Sequence, residues 1–267
     1  MRPMKDGRLT MELTKTEQAG LIECLLDMGQ NLLQSGAEIS RVEDTITRMA
    51  RAYGCLRVDV FVITSIISLS LEFPNERVLT ETRRIFSSSD TDFTRLEKLN
   101  HISRACCGQP MPVAELRRAV SQAAAEGKNF GLVLLGSILA AGSFAVFFGG
   151  TLWDGLAAAV LGAGVCLLQR LLGKTELSPV GANLLISLIT GVVVGLACHA
   201  LPAIHSDKIL IGDIMLLIPG LAMLNSVRNI LGGNTISGLV RLTESLIWAA
   251  ALAGGFMMAL LILNHVL

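Results

Sequence analysis

Residues 208–244 read KILIGDIMLLIPGLAMLNSVRNILGGNTISGLVRLTE, and the reading of this stretch decides the fold. Its first part, 209–224, is apolar enough for a membrane span but contains an aspartate, Asp213, and a helix-breaking step at Pro219 and Gly220. Its second part is a polar turn with Asn225, Arg228, Asn229, Gly232, Gly233 and Asn234, and a further apolar run follows past Arg241 and Glu244. A charge and a break in helical hydrogen bonding are both costly in hydrocarbon, where no water satisfies the freed groups. Such a stretch points to function inside a membrane.

The composition on either side agrees. Only 16% of the 267 residues are charged, and the net charge is zero. Residues 1–128 hold 17 of the 22 basic and 17 of the 22 acidic side chains. A polar half is therefore joined to an apolar, membrane half. Nothing in the charge recommends nucleic acid as a partner. Residues 1–13 read as a disordered start, and the first 20 residues lack the apolar core of a secretory signal, so the polar half is expected in the cytosol. Six cysteines show no metal-site spacing, adjacent Cys106 and Cys107 are too strained a pair for a routine disulfide, and all six read as reduced structural residues. The four histidines are scattered, and no metal or other cofactor is expected.

In the polar half, Leu21, Ile22, Leu25, Leu26, Gly29, Leu32 and Leu33 recur at helical spacing, and Ser35 with Gly36 ends that helix. A second helix runs over 37–53 with Ile39, Val42, Ile46, Met49 and Ala50 inward, antiparallel to the first. The period then changes. Residues 56–64, 65–73 and 77–86 alternate and are rich in β-branched side chains, which predicts a three-stranded meander. After a loop at 87–90, Asp92 is an N-cap for a third helix, and Pro112 opens a fourth that ends near Glu126. The expectation for 14–128 is a cytosolic α+β domain.

The densest polar patch of this domain is Ser35, Glu38, Arg41, Glu43, Asp44 and Thr45. Three readings stand beside one another: a salt-bridged helix start on a solvated face, an interface or regulatory site under the membrane domain, or a catalytic carboxylate pair. The third lacks a nucleophile, a metal set or a phosphate loop.

Residues 129–267 hold five apolar runs: 130–148, 153–172, 179–201, 209–224 (extending to 230) and 242–263, each near the ~20 residues that cross a bilayer. Arg117, Arg118, Lys128, Arg170, Lys174, Arg228 and Arg241 fall on one side of these runs and Lys208 on the other. That bias orients the chain with its N-terminus in the cytosol and its C-terminus outside. Glycine and alanine are dense throughout, which suits close helix packing in a five-helix bundle rather than a simple anchor.

By the rise of about 1.5 Å per residue, Asp213 lies only ~6 Å into its span, nearer the outer rim than the midplane. Asn225, Arg228 and Asn229 form an i, i+3, i+4 cluster at the inner end, with Arg241 and Glu244 across the turn. A charge-paired inner gate and a structural network that holds the turn are both open readings.

SGAEISRVEDTITRMARAYG, VDVFVITSIISLSL, LEKLNHISR and IPGLAMLNSVRNILGGNTISGLVRLTES together resemble the threonine/serine exporter family, over about 21–267. The likeness is to the family's N-terminal module, similar to the YjjP-type inner-membrane subunit of a two-chain exporter. It implies ion-gradient-driven export of small hydrophilic metabolites, threonine and serine or a dicarboxylate such as succinate, with a smaller membrane partner of the YjjB type. It implies no enzyme. Within it, Glu38, Arg41, Glu43 and Asp44 match the cytosolic helix-turn motif, and Pro219, Gly220, Asn225, Arg228, Gly238, Arg241 and Glu244 match the membrane motif. Asp90, Thr91 and Asp92 stand where the family often has a Gly-Ile-Asn step. Homo-oligomers are compatible with the small-residue faces. The other reading of the chain is a membrane-anchored interaction or sensory protein whose cytosolic domain is the working part.

Overall fold

The computed structural model describes residues 2–3, 9–10, 13–85 and 91–266. The expected loop at 87–90, the end of the third strand at Phe86 and most of the 1–13 start lie outside the described residues. Two short strands, β1 (Arg2–Pro3) and β2 (Leu9–Thr10), pair antiparallel. The chain divides into two compact units, one of Met1–Lys128 with Leu224–Arg241 and one of Asn129–Met223 with Leu242–Leu267. A boundary read from composition alone falls at 128/129. The structure adds the polar stretch after the span-four break to the first unit.

In the first unit, helix α1 (Lys15–Gln34) starts at a capping box in which Thr14 and Glu17 satisfy each other's backbone amides. Leu21, Leu25, Met28 and Leu32 on its inner stripe are fully buried. The helix ends in a Schellman motif: Gly36 N–H donates to Leu33 O and Ala37 N–H to Leu32 O, both at 3.0 Å, with Gly36 at φ 88°. That left-handed residue turns the chain back into α2 (Ile39–Ala52). Gly29 lets the two helices close, since a Cβ there would lie 2.8 Å from Ile46 Cδ1.

Strands β3 (Arg57–Ile63), β4 (Ile66–Glu72) and β5 (Val78–Arg84) form the expected antiparallel meander in that order. Ile67, Leu69 and Leu71 face the helices. On the other face Ser68 pairs with Thr82 and Ser70 with Thr80 through their hydroxyls, at 3.0 and 2.8 Å, and Arg83 turns to the helical side to pair with Asp27. Helices α3 (Phe93–Gly108) and α4 (Val113–Ala125) complete the layer, and Asp92 caps α3 by accepting from Arg95 N–H at 3.0 Å. Burial pushes the Cys24 and Cys55 thiols up to about 12, so both are inert packing groups. The six cysteines are unbonded to one another.

The second unit is built from α5 (Phe130–Phe147), α6 (Leu152–Leu172), α7 (Pro179–Ala200), α8 (Ser206–Leu217) and the C-terminal part of α10 (Thr235–Val266). Small residues set its contacts. A Cβ on Gly212 would lie 2.5 Å from Ala141 O, one on Gly142 2.9 Å from Gly155 O, and one on Gly191 2.6 Å from Ala259 Cβ. Gly191 against Ala259 and Gly195 against Leu263 share one sequence offset, so α7 and α10 run parallel. Between these contacts lie Ala141, Ala145, Ala158, Val194 and Ile209 in one buried cluster, and Val165, Ile186, Leu217, Leu252 and Phe256 in another.

The outward side chains are apolar too: Leu132, Leu139, Phe147, Trp153, Val160 and Leu171 are exposed. Helices apolar all round belong in a bilayer. Among the described residues four helices are long and apolar enough to cross one, and a bent pair makes up to five. The break expected at Pro219 and Gly220 divides the run 209–230 into two helices, α8 and α9 (Gly220–Leu231), bent by 50°. One sequence expectation needs correction. The last helix starts at Thr235 rather than 242, because Asn234 N–H bonds back to Asn229 O and the turn needs only Gly232, Gly233 and Asn234.

Candidate functional site

The break between α8 and α9 falls at Ile218 and Pro219, where proline brings no N–H to the helical ladder and its ring excludes the carbonyl one turn back. Gly220 then opens α9, with no atom within 4 Å of where its Cβ would be. Its sequence over 225–229 carries three polar side chains at i, i+3 and i+4. All three reach the turn between α1 and α2, some 190 residues earlier in the chain.

Asn225 Nδ2 donates to Gly36 O at 3.3 Å, Arg228 pairs with Glu38 at 3.0 Å, and Asn229 Oδ1 accepts from Ile39 N–H at 3.4 Å. The last bond has a structural reason. Glu38 occupies the N-cap of α2 but gives its helix no side-chain cap. A buried first-turn N–H needs an acceptor, and α9 supplies one while Glu38 turns to Arg228. Asp92 N–H also donates to Ser35 O, at 3.1 Å, so the α1–α2 turn is gripped from both sides. Ser35 Oγ and Asn229 Nδ2 are buried in this junction without hydrogen-bond partners among the described residues.

The structure thus brings together two motifs that lie far apart in sequence. Glu38 pairs with Arg228, not with Arg41 three residues on. Arg41 is exposed, and its carbonyl accepts from the Thr45 hydroxyl at 2.7 Å. Asp44 pairs with Arg48 on the surface. Glu43 faces the sheet, where its carboxylate accepts from Val62 N–H at 3.2 Å and burial raises its pKa. Sequence reasoning marked Arg228 and Glu38 separately. It had no signal for Gly36 O and Ile39 N–H as their neighbours' partners, since backbone groups have no residue signature.

Gly238 seats the start of α10 against α9, because a Cβ there would lie 2.5 Å from Ile230 Cγ1 and 2.8 Å from Ser226 O. Arg241 is buried on that helix, whereas Glu244, one turn on, is exposed. In the second unit Asp154 caps α6 in a capping box with Thr151 and also accepts from His205 N–H at 2.6 Å and meets His205 Nδ1 at 3.1 Å. Asp213 is fully buried in α8, and neither carboxylate oxygen has a hydrogen-bond partner among the described residues. No set of three or more His, Cys, Asp or Glu side chains is gathered among the described residues.

Known proteins share this arrangement of sequence. The family described as "Putative threonine/serine exporter", ThrE, matches residues 23–263. The "Threonine/serine exporter" of Corynebacterium glutamicum is 23% identical over 253 residues, which is 92% of this chain and 52% of that protein. The chain therefore spans about half the length of that relative. The "Probable succinate transporter subunit YjjP" of Klebsiella aerogenes is 24% identical, over 94% of this chain and 96% of its own length. No solved structure matches. Both relatives carry transporter names, the matched residues span the N-terminal domain and the apolar helices alike, and this multi-pass membrane protein belongs to the threonine/serine exporter family.

Proposed function

We propose that the chain is one subunit of a secondary-active exporter of small hydrophilic metabolites, with threonine, serine or a dicarboxylate such as succinate as substrate. Its partner is a smaller membrane subunit of the YjjB type, in the bacterial inner membrane. The names of the two relatives support the substrate classes, and the subunit name of the Klebsiella relative supports a partner. The bent pair α8 and α9 counts as one span, giving five, with the N-terminus cytoplasmic and the C-terminus outside as the basic residues favour.

The observation that carries the reading is the interrupted span itself. Discontinuous membrane helices free backbone groups, and in transporters those groups bind the charged ends of substrates. Here the interruption at Ile218 and Pro219 is followed within three helical turns by the three side chains that grip the α1–α2 turn. The N-terminal domain is thereby mechanically tied to the second half of the broken span. Reconstitution with the partner in proteoliposomes, with labelled threonine, serine and succinate, tests the reading. At least one is expected to move down an imposed ion gradient, and Arg228→Ala or Arg241→Ala is expected to abolish that movement with membrane levels unchanged. No movement of any of the three, or full movement in both variants, overturns it.

The same tie favours a second role for residues 1–128 as the regulatory part. Transport by a chain lacking them, at a rate no longer adjusted by cytosolic conditions, is the outcome expected of that role.

A further inference from the structure

Two polar side chains in the second unit are buried without partners among its described residues, Thr190 through Oγ1 and Asp213 through both oxygens. They lie on different helices, α7 and α8, and the packing places them together. Ile209, Asp213 and Leu217 follow at i, i+4 and i+8 along one stripe of α8, and Ile186, Thr190 and Val194 along one stripe of α7. Ile209 shares a buried cluster with Val194, and Leu217 shares another with Ile186. The two helices are joined by a short connection and run antiparallel, so the ends of the stripes match in opposite order. Asp213 and Thr190 are then the central members, at one level.

A carboxylate held in hydrocarbon without a partner is unstable as an anion by several kcal/mol, and it is neutralised by taking up a cation. One carboxyl group and one hydroxyl offer too few oxygens to replace the water around an alkali or divalent cation. A proton needs no such cage. Other charges lie too far along the bundle to neutralise Asp213. Helix α5 carries no titratable group. On α6 are Asp154, Cys166 and Arg170, on α7 Cys198 and His199, on α8 Asp207 and Lys208, and on α10 Arg241, Glu244 and His265. Lys208, five residues or about 7.5 Å from Asp213, pairs with Asp207 at 3.3 Å, and the rest stand about two helical turns or more from that level by the helical rise. Asp154 is already bonded to Thr151 and His205, and the Arg170 guanidinium stacks 3.9 Å over the Phe130 ring.

We infer that Asp213, with the Thr190 hydroxyl beside it, is the site at which the exporter binds and releases the proton that drives transport. The inference rests on the exporter reading above and names its coupling ion. In one conformation the carboxyl group holds the proton in the dry position seen here. In the other, water reaches the group, the proton leaves to that side, and Thr190 donates to the carboxylate that remains.

Two measurements on the full-length protein in lipid nanodiscs and proteoliposomes test it. The first is independent of substrate: modification of Asp213 by a hydrophobic carbodiimide, which reacts with the protonated acid, is followed by peptide mass spectrometry from pH 5 to 10. Asp213 is expected to react, with a yield that falls through a single midpoint as pH rises. Thr190→Val is expected to move that midpoint up by about one pH unit, the weight of one hydrogen bond to the anion. Uniform yield across the range, or none, overturns the inference. The second is transport with the partner: Asp213→Asn is expected to lower pH-gradient-driven movement at least tenfold, and whatever exchange remains no longer varies with pH. Asp213→Glu, which keeps a proton site, is expected to retain it. Full gradient-driven transport by Asp213→Asn, or a requirement for sodium that choline does not meet, overturns the proton assignment. If the wild type moves none of the substrates, the exporter reading fails, and the carbodiimide profile still reports whether Asp213 takes up a proton.

Discussion

Polar side chains are used in opposite ways at the two ends of the broken span. On α9, Asn225, Arg228 and Asn229 each find a partner on the α1–α2 turn, two of them backbone groups of that turn. On α8, twelve residues before Asn225, Asp213 finds none among the described residues, and its neighbour Gly212 packs on Ala141 and Ala145. The first pattern is what a lasting attachment needs, since all three side chains bond across the junction. The second leaves a group whose charge state must change if its surroundings do. One chain thus holds its cytosolic domain by bonds that are made and packs its membrane helices by shape. Mutations should separate the two.

The largest effect is expected where shape alone holds the helices. In Gly212→Ala the new Cβ lies 2.5 Å from the Ala141 carbonyl oxygen and 3.1 Å from Ala145 Cβ, and a backbone oxygen cannot move aside as a side chain end would. Overpacking of this kind costs about 1–3 kcal/mol. Gly254→Ala, with nothing within 4 Å of its Cβ, is expected to be tolerated. Thermal unfolding of the two variants in detergent, read by size-exclusion chromatography, compares them. Equal melting would show that α5 and α8 are not held by the glycine contact.

At the attachment the effects are expected to be smaller and local. Asn229→Ala leaves the Ile39 N–H without its acceptor, a loss of about 1–3 kcal/mol for a buried donor. Hydrogen exchange at the start of α2 should rise about tenfold for each ~1.4 kcal/mol lost, while exchange in α6 and α7 stays as it was. A rise spread evenly over the chain would mean that the junction is not a local contact.

How much of this was legible follows the same division. The helices and the meander of 14–128 could be read because period and caps are written in side chains: Gly36 and Asp92 are where the signals put them. The proline break was legible for the same reason. The start of α10 was not, because Thr235 to Arg241 mixes polar residues and Gly238 with apolar ones and lacks the unbroken apolar run of a span. The pairing of Glu38 with Arg228 was not legible either. Its two residues are 190 apart, and the nearer candidate, Arg41, satisfies the i,i+3 rule while pointing to solvent. Thr190 looked like one more small residue in an apolar run, and only the register of α7 on α8 brings it level with Asp213.

The Glu38–Arg228 pair itself is expected to contribute little to stability. Both side chains are partly exposed, and exposed pairs are worth about 0.2–1 kcal/mol. Its weight should show in coupling rather than in melting. A cycle of Glu38→Arg, Arg228→Glu and the double exchange isolates the pair from each residue's other contacts. Each single reversal places like charges at the junction and is expected to abolish export as Arg228→Ala does, and the double exchange to restore part of it. If the double variant is no better than the singles, the two residues act independently and the attachment is carried by Asn225 and Asn229.

The smallest effect concerns Glu43, which lies beside the attachment without belonging to it. Burial raises its pKa above the ordinary 4.5, and the Val62 N–H bond only partly opposes this. Between the unfolded and the folded value the native state holds more proton than the unfolded one, so unfolding becomes easier as pH rises through that window. Glu43 therefore costs the first unit some stability at neutral pH, and none below pH 4.5. Glu43→Gln keeps an acceptor for Val62 N–H and removes the charge. It is expected to match the wild type in acid and to exceed it slightly at pH 7, measured as protease resistance of the N-terminal unit across pH. The opposite order at pH 7 would mean that the carboxylate is stabilised by a positive neighbour, and that the patch on α2 is held by charge pairs throughout rather than at Glu38 alone.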